Sequence, residues 1–492
     1  MKKFFLIVAA VIVYSFAFSQ SNYVDDALKL STNNYGGTAR FVGMGGAFGA
    51  LGGDFSSLSI NPAGIGVYRS SELVFSPGLS YNSNSATYIA NKIDDSGYDL
   101  NINNLGFVAA YDLEEADTRW VNFNVGIGFN RTNDLNDNLM FEGVNNSSLM
   151  EVFVDFANQE ATPLTPNDLN GMYEYLLWDA YIIDTTEANG VFFNQINDEA
   201  WNNSNFEINQ RKILRTEGAT NEFNISFGGN YANKLYVGAN IGITWLNYDQ
   251  YSSHYEYETS DDQIAYMNGF DFREHSKTNG TGFLFKAGAI FKPEDFIRIG
   301  AAIHLPTFYT LTKEYYNDVY GYFDSNPDSY SSSEKQKYEY RLQTPLRLIG
   351  SLGFQIGKIA LIDVDYEYAD YSSIKLDDDF NSVGVITDNN TIKDVYKNTH
   401  NLRGGVEFRL GSLYLRGGGA YSTSPYTYNK DFNTITYSGG LGYREKNYFI
   451  DVAFSQTRTD YLISAYNWEY NNAVADVKNK LNRFILTFGL KF

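Results

Sequence analysis

The chain contains no cysteine, and only nine prolines and six methionines among its 492 residues. Without a thiol, disulfide scaffolds, thiolate metal sites and cysteine nucleophiles are excluded together. Basic residues are also scarce, with 37 Lys and Arg against 58 Asp and Glu, a formal net charge of -21. Such a surface repels phosphate backbones, so nucleic acid is not an expected partner. The four histidines, His254, His275, His304 and His400, form no i, i+4 or zinc-like pair, and no metal site is expected from them. Beyond the N-terminus no apolar run reaches the length of about 18 residues that a spanning helix needs.

What the chain does have is aromatic residues and glycine: 40 Tyr, 36 Phe and 43 Gly. Aromatics suit a pleated surface, and glycine marks places where backbones approach or bend. A single soluble core rarely exceeds about 250 to 300 residues, but a large barrel escapes that limit. The opening MKKFFLIVAAVIVYSFAFSQ has two lysines, an apolar run and then the small residues Ala17 and Ser19. It reads as a signal peptide over 1–19, with the mature chain starting at Gln20.

An exported chain without a spanning helix can still cross a membrane as a closed sheet. RWVNFNVGIGFN alternates Val121, Phe123, Val125, Ile127 and Phe129 with Asn and Gly, and NEFNISFGGNY and NRFILTFGLKF repeat the pattern. Strands are expected near 72–82, 102–112, 119–131, 221–231, 235–247, 281–292, 296–308, 340–355, 359–371, 400–410, 413–422, 433–444, 448–458 and 481–492. Tight turns alternate with long polar segments, the longest at 132–220. That sorting is the topology of an outer-membrane barrel and has no reason to arise in a soluble sandwich. The fold class is therefore all-β, a transmembrane antiparallel β-barrel of about 14 strands, embedded in outer-membrane lipid. Its last strand, ending on Phe492, suits recognition by the barrel assembly machinery. Within the longest loop, 148–159 and 167–183 have the spacing of short amphipathic helices. Two roles are open for them: a self-packed lid over the mouth, or a groove where a lipid-like ligand lands.

The stretch FVGMGGAFGALGGDFSSLSINPAGIG, Phe41–Gly66, fails as a nucleotide loop, having neither G-x-G-x-x-G nor Gly-Lys-Ser/Thr. No cofactor is expected. Asn61-Pro62-Ala63-Gly64 reads as a compact bend. No G-x-S-x-G elbow is present, so a barrel-borne hydrolase is the least supported reading and the chain is not expected to be an enzyme. Alternation places Arg298, His304, Arg341, Arg347, Asp363, Asp365, Glu367, Arg403, Glu407, Arg409, Arg416, Arg444, Asp451 and Arg483 on the inner face. These charges either pair with one another and seat a plug, or attract an anionic head group through Arg298, Arg341 and Arg347. Calcium binding by the acid row of Asp363, Asp365 and Glu367 is a further option.

Gly43–Gly66, directly after the signal peptide, and TPLRLIGSLGFQIGKIALIDVDYEYADYS, Thr344–Ser372, resemble the FadL-type outer-membrane transporters of long-chain fatty acids and other hydrophobic compounds. The resemblance implies a monomeric fourteen-stranded barrel over 72–492, with residues 20–71 folded inside as a hatch. Asn61, Pro62, Ala63 and Gly64 would then gate it; the resemblance places no ligand-contacting side chains, and Phe41, Phe48 and Phe55 are the candidate apolar ligand contacts within the stretch itself. It also implies passive uptake of a hydrophobic small molecule, through an outer groove, a lumenal pocket and a lateral gap. FadL-like barrels include components of a protein secretion system, so docking of exported proteins is the alternative function. A lumen sealed by loops would favour that alternative.

Overall fold

The computed structural model describes residues 17–113, 119–158, 165–185, 191–203, 205–259, 264, 266–324, 326–379, 382–429, 431–466 and 474–492, with side chains from residue 23 onward apart from 197 and 201. The expected signal peptide lies almost wholly outside the described residues. Fourteen antiparallel strands close into one ring: β1 Glu72–Tyr88, β2 Asn91–Asp112, β3 Trp120–Asp134, β4 Ile208–Tyr231, β5 Leu235–Glu258, β6 Met267–Glu294, β7 Ile297–His304, β8 Arg347–Ile356, β9 Ala360–Asp370, β10 Asn398–Leu410, β11 Leu413–Ser422, β12 Thr434–Arg444, β13 Tyr448–Ser464 and β14 Val474–Lys491. The ladder between β1 and β14, from Glu72↔Lys491 to Thr87↔Asp476, shuts the ring. Phe75, Phe123, Ile127, Ile241, Phe283, Leu352, Phe408, Phe484 and Phe488 are exposed on the outside. They form the apolar belt of a membrane barrel, while backbone polar groups are satisfied strand to strand.

Strand number and the tight turns after β4, β8, β10 and β12 match the sequence reading, but strand length does not. β4, β5 and β6 run 24, 24 and 28 residues, or about 80 Å for the first two, against an apolar band of about 25 Å. Both ends of the supposed loop 132–220 and most of 248–280 are therefore ladder continuing above the membrane. There the outer face meets water, so hydrophobic alternation disappears although pairing persists. β1 and β2 are likewise joined by a two-residue turn at Ile89 and Ala90, with φ of 44° and 60°, where the sequence suggested a loop.

The expected strands 296–308 and 340–355 are each broken at a proline. Residues 308–323 pair again with β6 after Leu305-Pro306-Thr307, and 336–343 pair with 308–315 before Thr344-Pro345-Leu346. Three residues out of ladder reverse the inward parity. Tyr340 and Leu342 face in below the break in numbering, Arg347 and Ile349 above it.

Among the described residues three α-helices belong to the longest loop: α3 Leu149–Ala157, α4 Glu174–Asp179 and α5 Gln195–Asn202; α1 Ala17–Ser31, α2 Ala39–Gly43 and α6 Val383–Val395 lie elsewhere. α3 starts at a capping box, Ser148 and Glu151. Its Leu149, Met150 and Phe153 pack with Leu176, Leu177 and Phe192 on the upper strands at Tyr88, Phe141 and Phe270. The loop helices are thus consumed in the core of a lid, and their apolar faces are not an open groove.

Candidate functional site

Residues 38–68 fold inside the barrel as a plug made of three tight turns. Thr38 caps α2 by accepting from Phe41 N, Asp54 caps the 3-10 turn Phe55–Ser59, and Asn61 caps Pro62–Val67. The caps satisfy N–H groups that such short turns leave unpaired. Thr38 Oγ1 also donates to Asp54 Oδ1 at 2.8 Å, closing the first turn on the second.

The wall holds this plug through its backbone. Asp365 accepts from Phe48 N (2.9 Å) and Gly49 N (3.0 Å), and Asp363 from Ala50 N at 3.3 Å. Successive amides aimed at a carboxylate form an anion nest, and these acids are therefore occupied by the hatch; among the described residues no acidic or histidine cluster fits a metal ion. Arg298 Nη1 donates to Leu51 O (2.7 Å), His304 Nε2 to Ile60 O (2.8 Å) and Arg483 Nη1 to Tyr35 O (3.3 Å). On the opposite side Asn124 Nδ2 donates to Ile65 O at 2.7 Å and Asn122 Nδ2 to Tyr68 O at 2.9 Å.

Of the expected inward charges, thirteen face the lumen or its hatch and one does not. Arg341 is half exposed and pairs with Asp377 at 3.1 Å and Asp379 at 2.7 Å. Carrying inward parity across the Pro345 break is what misplaced it. Arg347 is buried, its Nη1 on Glu367 (2.7 Å) and its Nη2 on Ser31 O (2.7 Å). Glu367 also pairs with Arg403. Glu407 gathers Arg409 at 3.0 Å, Arg416 at 2.8 Å and the hatch residue Arg40 at 2.8 Å, while Arg416 continues to Asp451 at 2.8 Å. Arg298 and Arg347 thus bind protein groups, and the pairing-and-seating role accounts for both.

Asn61 reaches two ways as the centre of the hatch bend. Its Nδ2 donates to Gly49 O at 2.7 Å and its Oδ1 accepts from Ala63 N at 3.1 Å. Phe41 and Phe48 meet inside the hatch with ring centroids 5.6 Å apart, and Phe55 rests on Gly106 and Gly128 of the wall. These three rings fill the plug. Sequence reasoning missed Arg40, Asp54 and the wall glycines. A Cβ on Gly238 would overlap Pro62 O, and one on Gly418 would overlap Met44, so the lumen surface is moulded to the hatch. The available signal was glycine recurring at inward strand positions.

Above the hatch, α1 lies in the barrel mouth. Val24, Ala27, Leu28 and Leu30 pack on Tyr248, Tyr309, Leu311 and Tyr340 of the wall and on Val385 and Ile392 of α6. Lys313 Nζ binds Asp26 at 2.7 Å and Lys29 Nζ donates to Tyr248 Oη at 2.6 Å. Between α1 and the hatch remains a polar cavity of about 30 Å³, lined by Ser31, Glu222, Lys286, His304 and Arg347. That is room for a water molecule or two, and not for an acyl chain.

One seam in the wall differs from the rest. The β2–β3 ladder ends at Asn104↔Asn130, while β2 continues to Asn91 along β1 alone. β3 turns inward there, Asp134 accepting from Ser80 Oγ at 2.9 Å and Asp137 from Asn82 Nδ2 at 2.7 Å. Hatch residues replace the missing strand: Asn34 N donates to Thr132 O at 2.9 Å and Gly36 N to Arg131 O at 3.1 Å. A Cβ on Gly36 would stand 2.6 Å from Asn103 Oδ1, so Gly36 sits in the seam. Tyr98 and Leu100 are exposed beside it, Leu100 at 82%.

Fold and site together define a hatch-plugged, fourteen-stranded barrel of the outer-membrane type. Its fold is that of the FadL-type barrels. The chain superposes on a Pseudomonas aeruginosa FadL homologue with a TM-score of 0.56 at 14% identity, over 93% of this chain and 99% of that one. The Pseudomonas putida toluene transporter TodX gives 0.52 at 13%, over 94% and 100%. The Ralstonia pickettii toluene transporter TbuX gives 0.50 at 15%, over 93% and 98%. No family model matches the chain, and no curated protein does.

Proposed function

We propose that the protein is an outer-membrane channel for passive uptake of a hydrophobic small molecule, a long-chain fatty acid or a monoaromatic hydrocarbon, which leaves sideways through the β2–β3 seam. The observation that carries this reading is Gly36 standing between Asn103 and Arg131, where the wall ladder stops. An apolar solute gains nothing from a lumen crossed by buried ion pairs, whereas a lateral exit delivers it to lipid. The toluene transporters among the fold neighbours support the substrate class. Asn61 to Gly64 act as the fixed base of the gate, and residues 33–37 as its moving part.

Since the chain has no cysteine, a Gly36→Cys/Asn103→Cys pair tests the seam cleanly. In liposomes, labelled oleate or toluene is expected to enter at the protein-free rate when the pair is oxidised and to recover on reduction. Equal uptake in both redox states would overturn the lateral route. Uptake never exceeding protein-free vesicles would overturn transport altogether. The sealed mouth and lid favour a second reading, docking of an exported protein on the outer loops, and that last outcome would leave it standing.

A further inference from the structure

A second concavity opens on the outer side of the mouth, where α1, α6 and the segment 423–429 meet. It is a cup of about 290 Å³, lined by Val24, Asp25, Asp388, Tyr396, Tyr426 and Tyr428 among others. Three tyrosine rings form its wall: Tyr396 and Tyr426 have centroids 5.7 Å apart at 58°, and Tyr426 and Tyr428 5.1 Å apart at 46°. The cage is fixed from behind, because Tyr396 Oη donates to Val24 O at 3.1 Å and Thr427 N to Val395 O at 2.9 Å.

Besides its tyrosines the cup presents two carboxyl groups, Asp25 and Asp388. Asp25 is at the exposed rim and receives Tyr396 Oη at 3.4 Å. Asp388 is only 3% exposed, and its Oδ1 is buried with no hydrogen-bond partner. A buried, unpaired carboxylate oxygen on a helix is costly and calls for an explanation. Burial pushes the Asp388 carboxyl up to about 7. Among the described residues no Lys or Arg lines the cup; the nearest cation on α1, Lys29, is engaged by Tyr248.

We propose that this cup is a binding site for a small organic ammonium ion. Aromatic faces attract a cation through their quadrupoles, most strongly when it is desolvated, and Asp388 supplies the counter-charge the rings lack. A metal ion fits poorly, since only two carboxylates and three phenolic rings are offered where hard cations take six or more oxygens. The bound ion would touch α1, α6 and the 423–429 segment at once and hold the N-terminal helix in the mouth. The site is independent of the lateral seam.

Calorimetry on the purified full-length protein in detergent provides the test, with choline as probe and its neutral isostere 3,3-dimethylbutan-1-ol as control. Saturable choline binding at least about tenfold tighter than the alcohol, a difference of about 1.4 kcal/mol, is expected. Asp388→Asn should abolish that preference, and Tyr426→Leu should weaken choline binding, with the boiled-versus-unboiled gel shift of the barrel unchanged. Equal affinity for choline and the alcohol, or no saturable choline binding by the wild type, would overturn the proposal. So would a preference that survives Asp388→Asn.

Discussion

Arg40 and Glu407 meet as a two-point ion pair across the boundary between hatch and wall, Nε to Oε2 at 2.8 Å and Nη2 to Oε1 at 3.3 Å. Removing one partner of a buried pair costs about 3 to 5 kcal/mol. Glu407 keeps two other guanidinium donors, so Arg40→Met should cost about 2 to 3 kcal/mol. Amides of residues 38–54 should then exchange roughly 30- to 150-fold faster, while unboiled protein still migrates as a folded barrel.

The moulded wall makes a sharper contrast. Gly238→Val drives a side chain into Pro62 and should unseat the hatch, exposing residues 38–68 to protease added to the periplasmic side. Gly350→Ala meets nothing within 4 Å and should change stability by less than about 0.5 kcal/mol. Equal protease resistance in the two variants would show that the hatch does not depend on this clearance.

Asn61→Ala removes a cap and the donor to Gly49 O. The expected loss is about 1 to 2 kcal/mol, felt as faster exchange at Ala63 and Gly64 with little effect at residues 38–43. Asn61→Asp keeps the cap oxygen and should recover the Ala63 contact but not the donation to Gly49.

Fold and hatch were legible to different depths. Strand number, the turns at 232–234, 356–358, 411–412 and 445–447, and the bend at 61–64 were readable, because the lipid-facing residues enforce alternation and NPAG enforces a bend. The upper strands were not, since a ladder with water on its outer face carries no period of two in hydrophobicity. Arg341 was misplaced because pleat parity does not survive the three residues around Pro345. Phe41, Phe48 and Phe55 looked like ligand contacts because sequence cannot distinguish a ring that fills a plug from one that lines a void.

Glu174 offers a pH prediction in the lid. Burial raises its carboxyl from 4.5 to about 7, so the folded lid holds a proton in that window that an unfolded segment has released. Lid stability should be greatest below pH 4.5 and fall as pH rises through 7, by on the order of 2 kcal/mol. At pH 8 Glu174→Gln should therefore slow exchange of the α4 amides relative to wild type and flatten their pH dependence.

The ties between wall and hatch also limit how the proposed channel could open. Ejecting residues 38–68 as a body would tear Arg40 from Glu407 and leave Arg298, His304, Asp363 and Asp365 without their hatch partners, at several kcal/mol for each charge left buried. Thermal fluctuation or the binding of one apolar molecule does not supply that. Residues 33–37 are held at the seam by two backbone hydrogen bonds and by Arg483 on Tyr35 O, and shifting them disturbs none of the hatch contacts of those five side chains. On the proposed uptake function, permeation is thus compatible with a hatch that never leaves, and the outer membrane would stay closed to ions and other small hydrophiles while an apolar solute crosses.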